Sequence, residues 1–140
     1  MRVIGIDPGA RRVGVAIGHT ATGVATPYEV WPRREGKSLA DRLRDCVAEW
    51  DAERVVMGLP RSLDGTEGPA ARAARELAAE LSRAVGVPVE LHDERFSTVT
   101  AQASLHQGGL DTRRSRKIVD AVAASVILQS WLDAQREEDA

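Results

Sequence analysis

Residues 2–31 hold three short apolar runs, and helical spacing begins only after them. RVIGID at 2–7, VGVAIG at 13–18 and VATPYEVW at 24–31 are joined by connections too short for a crossover, the first of them PGARR at 8–12. Such connections join antiparallel neighbours, so the chain is predicted to open on a meander. Gly14 and Ala16 keep one face of the second strand small, and Pro27 assigns the third to a sheet edge.

The period then changes. Ser38 suits a helix N-cap, and Leu39, Leu43, Val47 and Trp50 recur at helical spacing. RVVMGLP at 54–60 reads as a buried strand, and RSLDGTEGP at 61–69 as a loop. An Ala-rich helix over 70–85 has Ala70, Ala74, Leu77, Leu81 and Val85 on one stripe and stops at Gly86. VPVELHDE at 87–94 is another buried strand type, followed by a helix over roughly 98–107. A last helix starts between Thr112 and Ser115, with Ile118, Val122, Val126 and Leu132 on its buried side. The order β-β-β-α-β-α-β-α predicts an α/β fold, a mixed five-stranded sheet flanked by helices. Without linker or repeat, 1–136 is read as one domain and 137–140 as an acidic tail.

Charge narrows the function. Nineteen Lys and Arg against 21 Asp and Glu leave −2, which excludes coating nucleic acid by bulk positive potential. The charge is uneven: without the tail the balance is +1, and DTRRSRK at 111–117 alone carries +3. The lone Cys46 excludes an internal disulfide framework and is consistent with the cytoplasm. No apolar run approaches the ~18–20 residues of a membrane span, and the amino end enters a strand pattern at once, unlike a signal peptide.

Three carboxylates stand against apolar sequence. Asp7 ends the first run, Glu94 closes the strand at 87–94, and Asp120 lies between Ile118, Val119, Ala121 and Val122. A carboxylate beside a core is costly unless it is paired, protonated or bound to a metal. Pairing is one solution: Asp7 beginning a turn, Glu94 with Arg95, Asp120 with Arg116 or Lys117. The other is convergence. If the strands ending at Asp7, Pro60 and Glu94 are parallel, their carboxyl ends share the edge where open α/β sheets bind ligands. A helix across the sheet would bring Asp120 there, and Mg²⁺ or Mn²⁺ would relieve the repulsion. Such a cluster hydrolyses phosphodiesters, with metals ~3.5–4 Å apart activating water and stabilising the leaving oxygen. No Ser-His-Asp or Cys-His set competes. His19, His92 and His106 lack mutual ligand spacing, and His92 is close to Glu94.

Together these residues form four ordered motifs. They are Asp7-x-Gly9-x-x-Arg12-x-Gly14-x-Ala16; Gly58-Leu59-Pro60 with Asp64-Gly65; Asp93-Glu94-Arg95-x-Ser97-Thr98; and Lys117, Asp120, Ala123, Ala124, Ile127, Leu128 and Leu132. Over essentially its whole length the chain resembles the YqgF family, bacterial relatives of Holliday-junction resolvases in the ribonuclease H-like superfamily. The resemblance implies a ribonuclease H-like fold and a metal-dependent nuclease whose acidic residues are Asp7, Glu94 and Asp120. It also implies maturation of the 5′ end of the 16S ribosomal RNA precursor. Two positions depart from the pattern: His19 stands near where relatives often carry Asp, and Lys117 where resolvases carry a fourth acid.

Arg12, Arg61, Arg95 and the run Arg113, Arg114, Arg116 and Lys117 are candidates for phosphate contact. Expected partners are RNA, the ribosomal RNA precursor, and structured DNA, with no membrane and with a monomer or homodimer left open. Two rivals are a resolvase of four-way DNA junctions and a non-catalytic nucleic-acid-binding factor in ribosome assembly or transcription.

Overall fold

A computed structural model describes residues 1–34, 36–61, 64–93 and 112–139, with residues 112–118 and 139 as backbone alone. Its elements are β1 (Arg2–Pro8), β2 (Arg12–His19), β3 (Val24–Pro32), α1 (Leu39–Trp50), β4 (Ala52–Leu59), α2 (Pro69–Val85), β5 (Val89–Asp93) and α3 (Thr112–Asp139). The helix expected over 98–107 lies outside the described residues. The five strands form one sheet in the order β3-β2-β1-β4-β5. The meander pairs antiparallel, and β1, β4 and β5 run parallel. The α/β mixed sheet predicted from the element order is therefore the one observed. Pro27 lies on an edge strand, where proline is tolerated because only one side of the strand carries a ladder.

Alternation along the strands divides the core in two. Ile4 and Ile6 of β1, Val13 and Val15 of β2, and Val55 and Met57 of β4 pack against α1 and α2, through Leu39, Leu43, Val47, Leu81 and Val85. Val3, Ala16 and Val56 point the other way and pack against Ala124, Ile127, Leu128, Trp131 and Leu132 of α3. Ser38 caps α1 by accepting from the Asp41 N–H at 3.2 Å, and Gly86 ends α2 in a left-handed conformation.

Three expectations shift. Val122 and Val126 are only partly buried; the covered stripe of α3 runs through Ala121, Ala124, Ile127, Leu128 and Trp131. On α2, Ala71 and Ala78 are buried while Ala70 is exposed. The segment at 87–94 is paired over Val89–Asp93 and half-buried, because β5 is the other edge of the sheet.

Cys46 sits in the core on the buried face of α1, and burial, then Glu49 and Glu29, pushes its thiol up to about 12. Since the thiolate is the reactive form, iodoacetamide at pH 8 is expected to spare Cys46 in the native protein and to label it after denaturation. Rapid labelling of the native chain would remove it from the core.

Candidate active site

The site begins with a pairing in the sheet. In the β1–β2 ladder Asp7 lies opposite Gly14, at the carboxyl end of β1. A Cβ on residue 14 would fall 1.8 Å from the carbonyl oxygen of Asp120 and 2.4 Å from its carbonyl carbon. Gly14 is therefore the place where the backbone of α3 rests on the sheet. Asp120, Ala124 and Leu128 follow at i, i+4 and i+8, so the carboxylate belongs to the stripe that faces the strands.

The two carboxylates feel each other. Burial, and then the charge of Asp120, pushes the carboxyl of Asp7 from 3.8 up to about 6. Asp120 has a counter-charge of its own: Arg12 Nε donates to Asp120 Oδ2 at 2.6 Å. Arg12 opens β2 and Asp120 lies on α3, so this ion pair clamps the helix to the strand beside the carboxylates. On its other side Asp7 lines a cleft of about 210 Å³, with Pro8, Gly9, Arg33, Gly58 and the start of α2 among its walls.

The parallel neighbours bring further groups to this edge. β4 ends at Leu59 and β5 at Asp93, and Gly58 pairs with His92. His92 Nε2 and Ser130 Oγ of α3 share a hydrogen bond of 2.9 Å. Burial lowers the His92 pKa, against the opposing charges of Asp93 and Glu90, which favours the neutral ring. Arg61 lies just past β4, where its guanidinium meets Glu67 at 3.3 Å and Asp93 at 3.6 Å. Arg75 of α2 holds Glu67 through two bonds of 2.7 Å, and these lower the Glu67 pKa. The chain after β4 is thus tied both to α2 and to the end of β5.

A family model described as RuvX, Holliday junction resolvase, matches residues 1–134. The chain belongs to the RuvX family. Two curated relatives span nearly the same length. One from Anaeromyxobacter sp. (strain Fw109-5) is 44% identical over 135 residues, covering 96% of this chain and 98% of that protein. One from Myxococcus xanthus (strain DK1622) is 41% identical over 143 residues, covering 99% and 92%. Both are named "Putative pre-16S rRNA nuclease". Among solved structures, T. thermophilus RuvC in complex with Holliday junction substrate matches with a TM-score of 0.55 and 19% identity, covering 97% of this chain and 96% of that one. The fowlpox virus Holliday junction resolvase matches at 0.57 and 9%, covering 96% and 99%. These likenesses establish the ribonuclease H-like fold for this RuvX chain.

Within the RuvX chain, the structure brings Asp7, Asp120 and Arg12 together and places Arg61 in an ion-pair chain. His19 Nδ1 instead accepts from the Ala21 N–H in the β2–β3 turn. Glu94 and Arg95 lie outside the described residues. So do the side chains of Arg113, Arg114, Arg116 and Lys117, whose backbone forms the first turns of α3. Among the described residues no set of three His, Cys, Asp or Glu stands together as a metal-binding group. The pair that is described nonetheless suits a cation. Two oxygen-donor carboxylates share one corner, and one is held back from ionising partly by the other's charge, a repulsion that a hard divalent ion relieves.

Proposed function

We propose that this RuvX-family chain is a divalent-metal-dependent nuclease that hydrolyses phosphodiester bonds in RNA, in maturation of the 5′ end of the 16S ribosomal RNA precursor. The observation that carries it is the pairing of Asp7 with Asp120 at the carboxyl edge of parallel strands. The names of the curated relatives support RNA as the substrate, and we place its action in the cytoplasm. Asp7 and Asp120, with Glu94 as third acid, would hold Mg²⁺ or Mn²⁺. Such ions supply Lewis-acid stabilisation of the phosphate and an activated water. The chain's own contribution is to fix the carboxylates. Asp7 is set by the β1 ladder, and Asp120 is held by Arg12 and by the seat at Gly14. We read residues 1–136 as a single nuclease domain, with Arg12, Arg61, Arg95 and the basic run at 113–117 guiding the substrate.

The test offers structured RNA, single-stranded DNA and a four-way DNA junction to the protein and to its Asp120→Asn variant, with Mg²⁺ or Mn²⁺. RNA is expected to be cut fastest, and the variant is expected to lose that cleavage. Undiminished cleavage by Asp120→Asn would overturn the site. The family's description as a Holliday junction resolvase favours a second reading, resolution of such junctions. Paired symmetric nicks in the junction, with RNA left intact, would select it. Absence both of cleavage and of Mn²⁺ binding by calorimetry near neutral pH would identify a non-catalytic binding factor.

A further inference from the structure

The turn between β1 and β2 lies against the loop that follows β3. The Arg33 N–H donates to the Arg11 carbonyl at 2.9 Å, and Arg33 Nη1 donates to the Gly9 carbonyl at 2.7 Å. These two bonds gather Arg11, Arg12, Arg33 and Arg34 on one corner, although they come from separate segments of the chain. A cavity of about 440 Å³ opens there; the described residues that line it are Ala10, Arg11, Arg12, Pro32 and Arg34, with no carboxylate among them. Arg11 and Arg34 are exposed, and among the described residues neither has an ion-pair partner. Ala10 lines both this cavity and the cleft that holds Asp7, so the two openings adjoin across the turn.

Guanidinium groups repel one another when gathered without counter-charge, and a phosphate oxygen relieves that repulsion through charge-assisted, often bidentate, bonds. We propose that the arginine-lined cavity is a phosphate-binding subsite, which seats the sugar–phosphate backbone of the nucleic-acid substrate to one side of the cleaved bond. The proposal rests on the nuclease reading and assigns that site a direction of approach, from the Asp7 cleft across the β1–β2 turn. Arg11 and Arg34 supply the free charge. Arg33 braces the two segments, and Arg12 joins the subsite to Asp120. Contacts of this kind fix register on the strand without reading its bases.

The test compares binding of a mixed-sequence single-stranded RNA by the Asp7→Asn protein, in which cleavage is blocked, with and without the added pair Arg11→Ala/Arg34→Ala. Fluorescence anisotropy over a range of potassium chloride gives the slope of log affinity against log salt. Losing two phosphate contacts is expected to reduce that slope by about 1.4, from ~0.7 for each contact on a single strand. The melting temperature is expected to stay that of the parent, because both side chains are exposed. The pair Arg11→Lys/Arg34→Lys is expected to keep most of the slope. If the parent binds and the alanine pair leaves slope and affinity unchanged, the subsite is overturned and the nuclease reading stands. If the parent binds no RNA at any salt, and wild type cleaves none, the nuclease reading itself is overturned.

Discussion

Asp7→Asn is expected to abolish metal-dependent cleavage and, without metal, to raise the melting temperature at pH 8. Both effects come from the same carboxylate. Burial and the neighbouring Asp120 charge raise its pKa to about 6 in the folded chain, against 3.8 when unfolded. Well below pH 3.8 the group is protonated in both states and costs nothing. As pH rises from 4 to 6 the unfolded chain ionises first, so folding loses stability, and above 6 the full cost is present. A shift of this size corresponds to about 2–3 kcal/mol, or several degrees in Tm. The amide removes it, so the gain over wild type grows between pH 4 and 6 and then levels. Saturating Mn²⁺ stabilises wild type and not the variant, because only a state that binds the ion is favoured by it. The loss of cleavage is on the order of 10³-fold, given the several kcal/mol that a metal lends the transition state. Calorimetric melts across pH, with and without Mn²⁺, check the first part, and RNA cleavage the second. A variant less stable than wild type at pH 8 and equal to it at pH 4 would refute the electrostatic account.

Gly14→Ala is expected to lose cleavage as completely but with the opposite sign in stability. The added methyl would stand 1.8 Å from the Asp120 carbonyl oxygen, and that neighbour is helix backbone rather than the end of a flexible side chain. The helix cannot yield at this point alone, since a Cβ at Gly5 would lie 2.8 Å from Leu128 Cβ, and one at Gly18 would lie 3.0 Å from Leu128 and Leu132. Lifting α3 separates Arg12 from Asp120 and loosens the packing of Ala124 and Leu128. Overpacking of this kind costs roughly 3 kcal/mol or more. Gly18→Ala presses on side-chain ends that can rotate and is expected to cost about 1 kcal/mol. Urea melts of the two variants give the ordering, and Mn²⁺ calorimetry shows whether Asp120 has moved. A Gly14→Ala protein as stable as Gly18→Ala would mean that the helix does not rest there.

Much of this geometry is legible in the linear chain. Short connections fix the meander, Pro27 marks an edge, and Asp7 at the end of an apolar run marks the edge that matters. Gly14 stands out as a small position, but only the packed structure shows that what approaches it is the carbonyl of Asp120. Residues far apart in sequence account for the rest. Nothing local announces that Arg61 meets Asp93, or that Arg33 draws Arg11 and Arg34 to one corner. Val122 and Val126 look like core from their type. The helix instead turns Ala124, Leu128 and Trp131 inward, because a sheet face made small by Gly14, Ala16 and Gly18 lets the helix backbone at Asp120 and the side chains of Leu128 and Leu132 come close.

The central place of β1 has a consequence for how the site opens. Strands flank β1 on both sides and helices cover both its faces, so its amides are expected to exchange with solvent only on global unfolding. Asp7 thus belongs to the slowest-exchanging unit of the chain. Asp120 belongs to a helix that the described residues hold to that unit by side-chain packing, side-chain hydrogen bonds and the Arg12–Asp120 ion pair rather than by a hydrogen-bonded ladder. Detaching the amino-terminal half of α3 would part the two carboxylates while the sheet stays intact. Amide exchange at Asp120 and at Asp7 would then report two different free energies, and the gap between them measures how much of the fold can persist without its site.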